Sequence, residues 1–184
     1  LEGDALWKSA EAGEWSIELA EAAMAAELGP GLPPLRELAD SDRVGKSPPH
    51  GVLVTYRDGL KALALKLGSS GIRWNFACRL RGESQPRATA YYVGPWQNRN
   101  LFRALSHAIQ THFRQDHAPY PVERTLLVSG ILDASMESRF TGGTRQATPH
   151  LDIAYAPQDF RAMREMGATW KIITDTTPEP MGIV

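Results

Sequence analysis

The stretch Pro119 to Tyr155, PYPVERTLLVSGILDASMESRFTGGTRQATPHLDIAY, constrains the fold of this 184-residue chain more than any other. Pro121 suits a first helical turn, where its missing N–H costs nothing. Glu123 complements the helix dipole in that turn. Leu126, Leu127, Val128, Ile131, Leu132, Met136 and Phe140 then cover most of a helical circumference, and Gly130 permits close approach. Gly142-Gly143 stop the helix. Val122 to Phe140 therefore predict a helix of about 30 Å, the width of a small domain. Being apolar over so much of its surface, it is expected to lie across a sheet as the spine of the core. After Thr148-Pro149, Leu151, Ile153 and Tyr155 alternate with Asp152 and Ala154, which predicts a closing strand.

The sheet is sought upstream. Val52 to Tyr56 and Leu60 to Leu67 flank Arg57-Asp58-Gly59, and Asp-Gly between apolar runs is a strong hairpin signal because both residues tolerate positive φ. Gly68-Ser69-Ser70-Gly71 predict a second turn. The next strand alternates strictly, with Ile72, Trp74, Phe76, Cys78 and Leu80 on one face and Arg73, Asn75, Ala77 and Arg79 on the other. One face is expected to be buried, the other wet or against a partner. Gly82 to Pro86 turn again, and Arg87 to Val93 predict a fourth strand. Four strands joined by short loops predict an antiparallel meander, and the closing strand makes five. The expected class is α+β: an antiparallel or mixed open sheet of about five strands with helices packed on one face. This domain is expected to span 1–156, with 157–184 a partly ordered tail in which DFRAMREMG has the pattern of a short helix.

Two further helices are predicted. Trp15 to Leu28 place Leu19, Ala20, Ala23, Met24 and Leu28 on one face, with Ser16 as N-cap and Gly29-Pro30 as the stop. Asn98 or Asn100 caps a helix reaching about Arg114, with Leu101, Leu105, Ala108, Ile109 and His112 on one face. Residues 1–13 are mixed, and Leu1 reads as the end of a strand. Gly29 to His50, rich in Pro and Gly, reads as a surface-wrapping loop with one helical turn around Leu35 to Ala39.

A net charge of −1 supplies no electrostatic reason to expect nucleic acid or an anionic membrane as partner. The lone Cys78 excludes an intramolecular disulfide framework and a multi-Cys metal site, and fits a reducing, cytoplasmic compartment. No complete catalytic constellation is visible. His150 and Asp152 form H-x-D, and on a strand they point to the same side, so the pair could meet a metal or a sugar hydroxyl, or form a solvated polar face; no third metal ligand is fixed by spacing. Asp133 and Glu137, four apart on the long helix, could do acid–base work or form a solvated stripe. Arg73 and Asn75 could line a ligand site on the wet face of the sheet. Trp74, Phe76, Tyr91 and Tyr92 could form an aromatic platform of the kind carbohydrate and nicotinamide sites use, although packing in the core accounts for Trp74 and Phe76 more simply.

The opening LEGDALWK, the hairpin VLVTYRDGLKALAL, and PYPVERTLLVSGILDASMESRFTGG followed by TPHLDIAY carry a family likeness. Together they resemble the C-terminal domain of the glucose-fructose oxidoreductase / inositol dehydrogenase (Gfo/Idh/MocA) group, over roughly residues 1–156. The resemblance implies a parent protein in which an N-terminal Rossmann domain binds NAD or NADP. The C-terminal domain's open sheet would shape a sugar or polyol pocket and a homo-oligomer interface. The sequence also departs from the group. No G-x-G-x-x-G loop follows a strand, and the Glu-Lys-Pro motif with the group's catalytic lysine has no counterpart. No residue here therefore inherits a catalytic, cofactor-binding or metal-binding role. His150, Asp152, Arg73 and Asn75 stand as candidate substrate contacts. The chain is expected to be a C-terminal part that does not turn over substrate alone, or, in the alternative, a non-catalytic scaffold that uses its free sheet face. Apolar patches near Leu63 and Leu65 would favour the scaffold; a solvated Arg73, Asn75 and Arg79 face would favour a ligand site.

Overall fold

The structure, a computed structural model, describes residues 1–69, 74–91, 98–157 and 176. The expectations at Ile72, Arg73, Tyr92 and Val93, and over DFRAMREMG, lie outside the described residues. In chain order the elements are α1 (Gly3–Glu11), α2 (Ile17–Leu28), α3 (Leu35–Ala39), β1 (His50–Thr55), β2 (Lys61–Lys66), β3 (Asn75–Cys78), β4 (Arg87–Ala90), α4 (Asn98–Gln115) and α5 (Val122–Phe140). A short 3₁₀ turn, Pro149–Leu151, follows. Contacts divide the chain into two units: Leu1–Tyr91 with Ser138–Arg145, and Tyr92–Glu137 with Gln146–Val184.

The first unit holds the core. α1, which its mixed sequence hid, turns Leu6 and Trp7 inward. Trp15 is buried beside them, its ring tilted 45° to that of Trp7 at 6.2 Å. Its Nε1–H donates to the Leu6 carbonyl (3.1 Å) and to Ser9 Oγ (2.9 Å), so the indole enters the core with its one polar atom satisfied. α2 starts where Ser16 Oγ accepts from the Leu19 N–H (3.2 Å) and stops at Gly29, whose φ of +85° suits glycine. Glu21 on α2 accepts from the Leu35 N–H at 2.9 Å and so caps the start of α3. The Pro- and Gly-rich segment expected to wrap the surface is therefore structural: Leu35, Leu38, Ala39 and Val44 are all core residues.

The Arg57-Asp58-Gly59 hairpin forms with Thr55 opposite Lys61. Its turn uses one positive φ rather than two: Gly59 at +86° follows a turn closed by the Gly59 N–H on the Tyr56 carbonyl (3.0 Å). Asp58 instead accepts from the Leu60 N–H through its side chain (3.0 Å). On the β1–β2 pair, Leu53, Leu63 and Leu65 pack against the core. Leu63 and Leu65 therefore supply no outward apolar patch. Leu1 and Gly51 exchange backbone bonds of 2.9 Å, and Glu2 bridges His50, so the first residues extend this pair at its edge.

The meander does not continue. The described residues form two separate two-stranded antiparallel sheets, β1-β2 and β3-β4, not one open sheet of about five strands. The reason lies just after β2. Leu67 is buried, and Gly68, at φ +68°, presses against Val44: a Cβ there would stand 1.9 Å from the Val44 carbonyl oxygen. The next N–H, of Ser69, donates to that same oxygen at 3.0 Å. The chain leaving β2 is thus tied to the loop after α3 instead of reversing tightly into the next strand.

The closing strand is also absent. Pro149 starts the 3₁₀ turn, the Asp152 N–H returns to the Pro149 carbonyl (3.2 Å), and the Ile153 N–H returns to that of Leu151 (2.8 Å). Leu151 seats on Gly130 of α5, where a Cβ would stand 2.3 Å from Leu151 Cδ2. Gly130 does permit a close approach, and its neighbour is this turn. α5 has the expected bounds and stops at Gly142 and Gly143, both at positive φ. It is not the spine of the core, for none of its residues is buried and Leu132 is 62% exposed. An apolar circumference fixes no single inward face, and the core assembled upstream instead.

Two predictions follow from this arrangement. Leu38→Ala should cost about 2–5 kcal/mol, while Leu132→Ala should change stability by less than about 0.5 kcal/mol; urea midpoints check both, and a large loss at Leu132 would restore α5 to the core. Gly68→Ala should cost at least about 2 kcal/mol, clearly more than Gly59→Ala, which has an equally left-handed backbone but nothing within 4 Å of the added Cβ. Equal losses in the two variants would mean that the Val44 contact does not matter.

Candidate functional site: the open face of the second hairpin

The β3–β4 hairpin has two faces of different chemistry. Its register sets Asn75 opposite Ala90, Phe76 opposite Thr89, Ala77 opposite Ala88 and Cys78 opposite Arg87. The Tyr91 N–H donates to the Trp74 carbonyl at 2.8 Å, which extends the pairing by one residue. Asn75, Ala77 and Arg79 share one face with Ala88 and Ala90. Trp74, Phe76, Cys78 and Leu80 share the other with Tyr91, Thr89 and Arg87.

α2 packs on this hairpin, and it covers the face that reads as polar. Asn75 Nδ2 donates to Glu27 Oε2 of α2 at 2.7 Å and lies 3.9 Å from Met24 Sδ. Arg79 pairs with Glu18, also on α2. The alanines between these pairs are short enough to let the helix approach. Of the predicted ligand face, then, Asn75 and Arg79 serve helix packing. Asn75 Oδ1 is shielded from solvent and has no hydrogen-bond partner.

The face expected to be buried is the open one. Trp74 is 49% exposed, Phe76 50% and Tyr91 57%, and Leu80 is exposed as well. The aromatic platform therefore exists, made of Trp74, Phe76 and Tyr91, on a paired backbone that fixes their spacing. At one end, Arg87 Nε donates to Glu83 Oε2 at 2.8 Å. That carboxylate raises the Arg87 guanidinium above its already high pKa, so the charge is permanent. The sequence offers these residues as a platform, with core packing the simpler account of Trp74 and Phe76; in the structure both are half exposed. The missed signal was the complementarity between Asn75 and Arg79 on β3 and its flank and Glu27 and Glu18 on α2.

The remaining candidates are on other segments of the chain. His150 lies in the 3₁₀ turn and Asp152 caps it, both exposed. In a turn, unlike in the expected strand, residues two apart do not share a side. They belong to the second unit, Asn75 to the first. Among the described residues no three His, Cys, Asp or Glu side chains are grouped to hold a metal. Asp133 and Glu137 are exposed on α5, and the Arg124 guanidinium stacks 5.2 Å from the centroid of the Tyr120 ring. No described helix is long and apolar enough to cross a membrane. Set against known proteins, the chain matches no protein-family model, no curated protein and no solved structure.

Asn75→Ala should change unfolding free energy by less than about 1 kcal/mol. It removes one hydrogen bond to an exposed carboxylate but also a shielded oxygen without a partner. Denaturant titration checks this, and a loss above about 3 kcal/mol would show that the α2 contact depends on this side chain.

Proposed function

We propose that this chain is the substrate-binding and oligomerisation domain of an NAD(P)-dependent sugar or polyol oxidoreductase-like protein, in which another domain holds the dinucleotide. The observation that carries the reading is the open platform of Trp74, Phe76 and Tyr91. Sugar rings present flat C–H faces that stack on aromatic rings, and the Tyr91 hydroxyl adds a polar handle at the platform's margin. The resemblance of LEGDALWK, VLVTYRDGLKALAL and the Pro119–Tyr155 stretch to the Gfo/Idh/MocA group supports the same substrate class. The chain's own part is to bind and orient; hydride transfer belongs to the dinucleotide and to residues of the domain that holds it. The same exposed, largely apolar face also suits a second subunit, and this supports the alternative of a non-catalytic scaffold that assembles through its free sheet face.

Titration with inositol and with glucose, followed through the tryptophan indole N–H signals by nuclear magnetic resonance, tests the reading. The Trp74 signal should shift saturably at millimolar ligand, and Trp74→Ala should abolish binding while leaving the other indole signals in place. NAD and NADP should bind no tighter than millimolar in calorimetry. A Trp74 signal that ignores every polyol but broadens with protein concentration would decide for the scaffold.

A further inference from the structure

α4 has a chemistry that the sugar reading does not use. Phe102, Leu105, Ile109 and Phe113 recur at i, i+3, i+7 and i+11, which aligns them in one row along the helix. A row this regular normally marks the face a helix buries, yet Phe102 is 65% exposed and Phe113 81%, with Leu105 and Ile109 about half exposed. The rest of the helix is cationic. Its charged residues are Arg99, Arg103 and Arg114, and no Asp or Glu occurs from Ser84 through Gln115. The near-neutral total for the chain conceals this, because its acidic residues lie elsewhere.

We propose that α4 is a membrane-surface helix that lies in the plane of an anionic bilayer. Its Phe102–Phe113 row would enter the acyl boundary, and its arginines would meet lipid phosphates. A one-sided apolar row, a basic remainder and low total hydrophobicity are what interfacial helices share. A second copy of the chain is the obvious competitor, and charge argues against it. A two-fold contact sets the same patch against itself, and an acid-free helix then faces like charges with no counter-charge. Soluble polyanions match the arginines but leave four apolar side chains without an environment. An anionic lipid surface satisfies both halves of the helix. α5 contrasts with α4: it carries Glu123, Asp133 and Glu137, and its apolar residues run around it.

The full chain should co-sediment with phosphatidylglycerol-containing vesicles at low salt and not with pure phosphatidylcholine vesicles, and high salt should weaken the association. The double substitution Phe102→Ser, Phe113→Ser should weaken it at least about ten-fold, and Arg114→Gln about five-fold, with circular dichroism unchanged. Phe113→Trp should retain binding and gain a vesicle-dependent blue shift in emission. Failure of the parent chain to sediment with anionic vesicles at low salt would overturn the proposal. So would a dimer in analytical ultracentrifugation that the double serine variant dissolves, which would assign the row to a second copy. Heparin binding as tight as vesicle binding and indifferent to the serine pair would equally overturn it, in favour of charge alone. None of these outcomes depends on whether Trp74 meets a sugar.

Discussion

The contact between Gly68 and Val44 decides the architecture of the first unit. A chain leaving β2 through a glycine- and serine-rich turn could reverse at once and add a third strand. Instead Leu67 enters the core and the Ser69 N–H bonds the Val44 carbonyl, with Gly68 allowing backbone to meet backbone. That one tie ends the first sheet at two strands. It also draws the loop after α3 inward, and so explains why a segment rich in Pro and Gly contributes Leu35, Leu38, Ala39 and Val44 to the core. Two-stranded pairs are marginal by themselves; here each leans on helices, the first pair on the α1 side of the core and the second on α2.

Local signals were legible because the atoms they depend on lie within a few residues. Ser16 caps α2, Gly29 ends it, Gly59 closes the hairpin, and Gly142 and Gly143 stop α5 as their neighbours dictate. What did not follow was how elements pair and which way they face. The alternation of Trp74, Phe76, Cys78 and Leu80 with Asn75, Ala77 and Arg79 does establish two faces. It does not say which one a helix will cover. Hydrophobicity alone points to the aromatic face, but α2 carries Glu18 and Glu27 at positions that meet Arg79 and Asn75, and small alanines beneath them. A polar face with matched partners can be covered, and the aromatic one is left out. The segment that carries His150 and Asp152 departs from the expected strand for a related reason: alternation over Leu151, Ile153 and Tyr155 suggests extension, while Pro149 and the seat for Leu151 on Gly130 favour a turn.

The inversion of β3–β4 bears directly on function. Rings left half exposed on a pair of strands forgo part of the about 1.5–3 kcal/mol that complete burial of such a side chain contributes. Their persistence on an open face is most economical where something else covers them. Charge narrows the choice there: the only described cation in the cross-strand pairs of that face, Arg87, is held by Glu83. The platform itself is thus electrically quiet. A neutral, ring-shaped ligand or an apolar protein surface fits it; a phosphate does not.

The same reasoning separates this face from α4. Both expose apolar side chains, but the hairpin's are mainly aromatic and its cross-strand cation is paired, whereas α4 carries a row of four apolar residues and a basic sequence. Exposed rings beside a paired cation suit the proposed sugar ring or another sheet. A ridge on a helix whose sequence is basic and free of acidic residues suits the proposed anionic surface, because such a phase can surround four protruding side chains and meet the basic residues at once. Two exposed surfaces of similar hydrophobicity therefore point to different occupants, and it is the distribution of charge beside the apolar residues, not their number, that tells them apart.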